Sequence, residues 1–474
     1  MNNNIREIPS SMFSPKCPML TTFLLSHNNI TTIPEGFFDQ MLGLKILDLS
    51  NNEYLGRLPS LVSKLENLTT LLLENCSLLR EVPSLSNLRD LKKLNLYGTS
   101  IEEPPQGLNM LTNLKYLWLG GRLSEIPVGL LQNLFKLQYL GVDWSIPLKV
   151  EEIGRLRKLE SFDGWFSTMD DMSLYVKSER KFSHRYRIFV GSYNEIDDYY
   201  YNKTLSSAMK LILCYRIDIY KEPTWLPSDV QGFYIWDCKD VRSLNDISGF
   251  QVATDLRHCT IDECDGLEFV LSSSCLKPLQ NLESLYLYHL DNLNAVFGEV
   301  EAVAKSALLP TGTFSSLQKI KVWGCNKIKN LLSVKLLRYL QNLQTIKVSY
   351  CDQMEEIIWS EYEEEGEKLT LPKLQRLRLF HLPALKCIYS SSSTILIRDS
   401  IKKVDISGCD KVESVFWSGF NPLPTLEYLR LWGLKNLKFV FDEEALSLSA
   451  PPTTFFSLKT ICVGVPKIKE RILV

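Results

Sequence analysis

The sequence predicts an α/β repeat solenoid, and three observations carry that prediction. A unit L-x-x-L-x-L-x-x-N, formed by Leu44, Leu47, Leu49 and Asn52, returns as Leu68-Leu71-Leu73-Cys76, Leu91-Leu94-Leu96-Thr99 and Leu114-Leu117-Leu119. The first leucines lie 24, 23 and 23 residues apart. Cysteine fills the ninth place of many later units. Together these give a leucine-rich-repeat horseshoe of about 18 repeats, with a concave parallel β-sheet and short helical, 3₁₀ or extended convex segments.

The first apolar positions are Leu20, Leu44, Leu68, Leu91, Leu114, Leu137 and Leu159, then Val230, Leu256, Leu282, Leu317, Leu343, Leu374, Ile401, Leu426 and Leu458. Between Leu159 and Val230 the pattern is degraded, and two weak units fit, Tyr186-x-Ile188 and Leu211-x-Leu213. The chain therefore divides into regular x-x-I-P repeats at 1–162, degenerate repeats at 163–229, and C-x-x-L-x-x-L repeats with insertions at 230–474. All are expected to form one solenoid. Length alone suggests about three domains. Repetition overrides that expectation, because each repeat buries its face against its neighbours.

Within a unit, positions 4 and 6 point inward, and positions 3, 5 and 7 point to the concave side. Crossovers over the convex side make the strands parallel. At roughly 4.8 Å per strand the sheet spans on the order of 85 Å, enough for another protein domain. The ninth residue must turn the chain and satisfy buried backbone groups. Asn28 and Asn52 serve early; Cys76, Cys238, Cys264, Cys325, Cys351 and Cys409 serve in other repeats. Six of the 12 cysteines are thus ladder residues with no reason to pair, which favours a reducing compartment. The sequons at Asn29, Asn67, Asn75 and Asn202 point the other way, but such tripeptides are common by chance.

The start, Asn4-Ile5-Arg6-Glu7-Ile8-Pro9, reads as the second half of a repeat, so the chain is expected to continue upstream in a parent protein. No signal peptide, membrane-length apolar run or lipidation motif is found. A net charge of -2 gives no support for general nucleic-acid binding. Late repeats such as Cys325-x-x-Ile328-x-x-Leu331, Cys351-x-x-Met354-x-x-Ile357 and Cys409-x-x-Val412-x-x-Val415 space apolar residues by three, which predicts a helical or 3₁₀ convex turn. Insertions fall at 298–313, 359–370 and 442–454, and the second carries the acidic run Glu361-Tyr362-Glu363-Glu364-Glu365-Gly366-Glu367. That run reads as a solvated loop or a docking loop.

The x-x-I-P repeats give way to L-x-L-x-x-C-x-x-L repeats. Alongside them stand Thr224-Trp225-Leu226-Pro227-Ser228-Asp229-Val230 and Gly266-Leu267-Glu268-Phe269-Val270. In these features the chain resembles the repeat domain of plant coiled-coil nucleotide-binding leucine-rich-repeat (NB-ARC LRR) disease-resistance proteins. The resemblance implies a cytoplasmic sensor and autoinhibitory domain, peripheral at the plasma membrane if the parent receptor is. Its implied partners are a pathogen effector or guarded host protein and the receptor's own nucleotide-binding domain. It implies no cofactor here. ATP or ADP belongs to an upstream module with a G-x-x-x-x-G-K-[ST] loop, and no such string occurs in this chain.

The concave positions supply the candidate partner-binding residues. Aromatics recur at position 7, among them Tyr97, Trp165, Trp236, Tyr288, Trp323, Phe380 and Trp432; Trp118 sits at position 5 and Trp144 at position 8. Exposed aromatics mark interfaces, although a ladder of position-7 rings packing on each other explains them equally. A basic stripe joins them: Lys319, Lys321, Lys347, Arg376, Arg378, Lys402, Lys403 and Arg430, interrupted by Asp405. It would attract an acidic partner surface or RNA; a soluble face without a partner is the plainer reading.

Catalysis finds no support: none of the 5 histidines has a triad-like neighbour. His258-Cys259-x4-Cys264 resembles a metal site only superficially, since Cys259 is a core position and Cys264 a ladder position. No catalytic, cofactor or metal residue is assigned, and the chain is read as not an enzyme. The alternative to a receptor domain is a free-standing intracellular leucine-rich-repeat scaffold or adaptor.

Overall fold

The computed structural model describes residues 4–8, 16–143, 146–177, 185–191, 210–217, 226–247, 249–271, 279–297, 312–359, 369–389, 395–396, 400–416, 423–441 and 457–464. The chain separates into two compact units, Met1–Leu213 and Cys214–Val474, with the division inside the strand Lys210–Tyr215.

In the first unit, parallel strands follow one per repeat. They are Thr22–Leu24, Ile46–Asp48, Thr70–Leu72, Lys93–Asn95, Tyr116–Leu119, Tyr139–Val142, Ser161–Phe166 and Arg185–Gly191. Their register aligns the fourth position of every unit. Leu47, Leu71, Leu94, Leu117, Leu140, Phe162 and Tyr186 stand side by side, each fully buried. The weak unit at Tyr186-x-Ile188 is therefore a genuine layer. The core exists only because these layers stack, since one three-residue strand cannot bury its own leucines.

The ninth-position ladder closes each layer. Asn52 Nδ2 donates to the carbonyls of Leu25 and Leu49 at 2.9 and 2.8 Å, and its Oδ1 accepts the Ile30 N–H at 3.1 Å. Asn28 repeats the arrangement one layer earlier, accepting from Ile5 N–H at 3.2 Å. Cysteine does less: Cys264, Cys351 and Cys409 donate Sγ–H to the carbonyl two residues back, at 3.3, 3.4 and 3.6 Å. All described cysteines are free thiols. Burial pushes the Cys76 and Cys351 thiols up to about 11 and those of Cys259 and Cys409 to about 12. The thiolate is the reactive form, so brief iodoacetamide treatment of the native chain is expected to label exposed Cys17 and Cys462 and spare the ladder. Peptide mapping that found Cys325 or Cys409 alkylated at the same rate would refute the buried ladder.

The convex side differs from expectation in the second unit. The first step is a single turn in three of these spacings: Leu267, Met354 and Val412 N–H groups donate to Cys264, Cys351 and Cys409 carbonyls at 3.0, 3.3 and 3.3 Å. The second step is 3₁₀ as expected after Cys238-x-x-Val241, where Leu244–Asp246 forms a turn, but in the following repeats it is not helical. It enters a strand, as in Asn330–Ser333, Glu356–Trp359 and Cys387–Tyr389, which pair in parallel with one another. Ser414–Phe416 and Phe439–Phe441 pair likewise. One turn followed by a strand produces the same apolar spacing as two helical turns, so periodicity could not separate them. The first unit does use short turns, Ser60–Lys64 and Leu108–Met110.

An unpredicted helix, Met169–Lys177, lies in the degenerate segment. Thr168 opens it, its hydroxyl accepting the Asp171 N–H at 3.2 Å and donating to the Asp171 carboxylate at 2.7 Å. Met172 and Tyr175 bury its inner side. Among the described residues no helix is long and apolar enough to cross a membrane. The insertions, including the acidic run at 361–367, fall almost wholly outside the described residues.

Candidate protein-interaction surface

The second unit carries nine consecutive inner strands among its described residues: Gly232–Trp236, His258–Asp262, Ser284–Tyr288, Lys319–Trp323, Thr345–Ser349, Arg376–Phe380, Lys403–Ser407, Tyr428–Trp432 and Thr460–Gly464. Alternation turns Ile320, Val322, Ile346, Val348, Leu377 and Leu379 into the core. The opposite side chains form rows across the open face. The middle row reads Tyr234, Thr260, Tyr286, Lys321, Lys347, Arg378, Asp405 and Arg430. The row at the strand ends reads Trp236, Asp262, Tyr288, Trp323, Ser349, Phe380, Ser407 and Trp432. Identical repeat positions thus become spatial neighbours.

Tyr288, Lys321, Trp323 and Lys347 form one cluster. Lys321 Nζ donates to the Tyr288 hydroxyl at 2.9 Å and lies 5.9 Å from the Trp323 ring centre. Lys347 Nζ lies 5.4 Å from the same ring. Trp323 meets Tyr350 at 4.7 Å, and Tyr350 stacks on His381 at 4.8 Å. Arg378 lies 5.6 Å from the Phe380 ring and 3.4 Å from Asp405 Oδ2. Asp405 is buried, and its other oxygen has no hydrogen-bond partner among the described residues. Arg430 follows beside Asp405. Trp432 is 54% exposed and lies across Gly464, where any Cβ would collide with the indole.

Trp236 sits apart from this cluster, its indole N–H donating to Glu263 at 2.9 Å. Beside it is a group that the sequence did not signal. Buried Asp262 accepts the Tyr234 hydroxyl at 3.2 Å and lies 3.0 Å from His289 Nδ1. Ligand-type atoms of Asp262, Glu263 and His289 lie within 4.8 Å of one another. Both carboxylates are engaged by protein groups, so the cluster reads as a structural network. Its only sequence trace is an acid at position 7 in a run of aromatics.

Tyr97 and Trp118 belong to the first unit, where their rings meet edge to face at 5.2 Å. Trp118 lies flat across Gly141, where a Cβ would be 2.5 Å from the indole. Tyr116 and Tyr139 stack at 4.3 Å. The Tyr139 hydroxyl donates to Asp163 at 2.5 Å, and burial, followed by the Asp163 carboxylate, pushes that phenol's pKa up. Arg187 grips Asp163 with two hydrogen bonds, at 2.7 and 2.8 Å. Trp144 lies outside the described residues.

Residues 299–421 match the family profile described as plant disease resistance protein RPS2-like, leucine-rich repeats, and residues 18–78 match a leucine rich repeat profile. Disease resistance protein RPS5 of Arabidopsis thaliana is 43% identical over 68 residues, 14% of this chain and 7% of that protein. A probable disease resistance protein of the same plant is 29% identical over 150 residues, 31% of this chain and 15% of that protein. The matched stretches thus span a small part of those relatives. An internalin of Listeria monocytogenes is similar at a TM-score of 0.42 and 15% identity, covering 73% of this chain and 88% of that one. The stretch 299–421 contains the strands bearing Lys321, Lys347, Arg378 and Asp405.

Proposed function

We propose that this chain, whose leucine-rich repeats are those of plant disease-resistance proteins, is the sensor and autoinhibitory repeat domain of an intracellular immune receptor. In this reading a pathogen effector or a guarded host protein binds the open face. The single observation that carries it is the aligned row of Lys321, Lys347 and Arg378 beside Tyr288 and Trp323, inside the stretch that matches the RPS2-like repeats. The chain does no chemistry of its own; ATP or ADP is held by an upstream nucleotide-binding domain, and the receptor works in the cytoplasm.

The mechanism is a population shift. The open face favours an inactive arrangement of the receptor, and the effector binds it differently in the two states. Reversing Lys321, Lys347 and Arg378 to Glu in the parent receptor is expected to produce effector-independent signalling, scored as cell death without the pathogen. Unchanged resting behaviour together with unchanged effector response would overturn the reading and leave a free-standing scaffold or adaptor.

A further inference from the structure

The open face of the second unit concentrates charge of one sign. Lys319, Lys321, Lys347, Arg376, Arg378, Lys403 and Arg430 stand at positions 3 and 5 of five adjacent strands. One acid in these two rows, Asp405, opposes them, and it is engaged with Arg378. Strands about 4.8 Å apart place this charge within a width on the order of 20 Å. Lys319 and Lys321, and Arg376 and Arg378, are two residues apart on one strand. That is a separation of roughly 6.6 Å, the same as between alternate side chains of an extended peptide.

The rings in the midst of these cations each have one face occupied, and the half-exposed Trp432 stands at the end of the row. Lys321 covers Tyr288, Lys347 flanks Trp323, and Tyr350 is stacked on His381. Sequence-tolerant binding of single-stranded nucleic acid relies on open aromatic faces, so the arrangement fits carboxylates better than bases. We propose that this face is the docking site for an extended acidic polypeptide segment, its carboxylates on the Lys319–Arg430 cations and an apolar side chain on exposed Trp432. The proposal rests on the reading of the open face as an interaction surface and adds the chemistry of what it takes.

The test uses the 474-residue chain and fluorescence anisotropy with two labelled probes, an alternating Asp-Glu 20-mer and a 20-nucleotide oligouridine. The peptide is expected to bind, more weakly as salt rises. Lys347→Glu with Arg376→Glu is expected to weaken it about 30-fold. Lys64→Glu with Lys92→Glu changes net charge equally on the first unit and is expected to leave binding unchanged. If the double reversal melts early, Lys347→Gln with Arg376→Gln replaces it, with an expected loss of about 5-fold. Equal loss in both charge reversals, no peptide binding, or tighter binding of the oligouridine would overturn the proposal. A receptor that still responds to its effector through Lys321, Lys347 and Arg378 while the chain ignores the acidic peptide would remove this chemistry alone and leave the sensor reading intact.

Discussion

Asp163→Ala is expected to destabilise the first unit by about 3–5 kcal/mol, the usual cost of breaking a buried ion pair by removing one member. The Asp163 and Arg187 side chains are only 3% and 12% exposed, and the Tyr139 hydroxyl donates into the same carboxylate. Removing the acid takes two hydrogen bonds from the Arg187 guanidinium and one from the Tyr139 phenol. The measurement is urea unfolding followed by tryptophan fluorescence. Pairing Asp163→Leu with Arg187→Met is expected to recover most of the loss, because replacing both partners by packed apolar groups is often neutral. An alanine variant within about 0.5 kcal/mol of the parent would show that the network is solvated in solution.

Asn52→Ala should cost about as much by a different route. The side chain satisfies three backbone groups at 2.8–3.1 Å, in a position that is fully buried. Removal orphans the Ile30 N–H, at roughly 1–3 kcal/mol, and takes one bond each from the Leu25 and Leu49 carbonyls, which keep Asn28 Nδ2 at 3.1 Å and Cys76 Sγ at 3.3 Å, so a total of about 3–4 kcal/mol is expected. Asn52→Cys, which imports the residue of the later repeats, keeps a donor but loses the acceptor for Ile30 N–H and should fall between. Hydrogen exchange gives a local reading: the Ile30 amide should lose protection far more than that of Leu117. Uniform loss across the unit would mean that the ladder acts on the whole stack rather than on one layer.

The core was legible in the sequence because a single periodicity determines it. Leu47, Leu71, Leu94 and Leu117 stand where their spacing says they should, and the row of Lys321, Lys347 and Arg378 follows from the same numbering. What stayed hidden depends on contacts between repeats. Asp163 and Asp262 look like ordinary surface acids until register sets Asp163 next to Arg187 and brings Tyr234 to Asp262. Trp118 was legible as a concave aromatic at position 5, but not as a ring laid over Gly141, because the glycine lies a whole repeat away. Which convex segments are extended and which are turns was not legible, because the two share an apolar spacing: Leu244–Asp246 is the expected 3₁₀ turn, whereas Glu356–Trp359 is a strand. The helix Met169–Lys177 was missed because its region had lost the repeat pattern.

The in-register sheet also governs how such a surface changes by inheritance. Neighbours across strands on the open face are a full repeat apart along the chain, so its columns are the strands and its rows the repeat positions. Loss of residues 345–375 as a block would bring Arg376–Phe380 beside Lys319–Trp323, with every inward side chain still inward. Loss of one residue inside a strand would turn all later side chains of that strand over. Whole-repeat duplication, deletion or exchange therefore reshuffles the columns of the recognition lattice while leaving the stacking of leucines undisturbed. A point substitution at position 3, 5 or 7 edits a single cell of it.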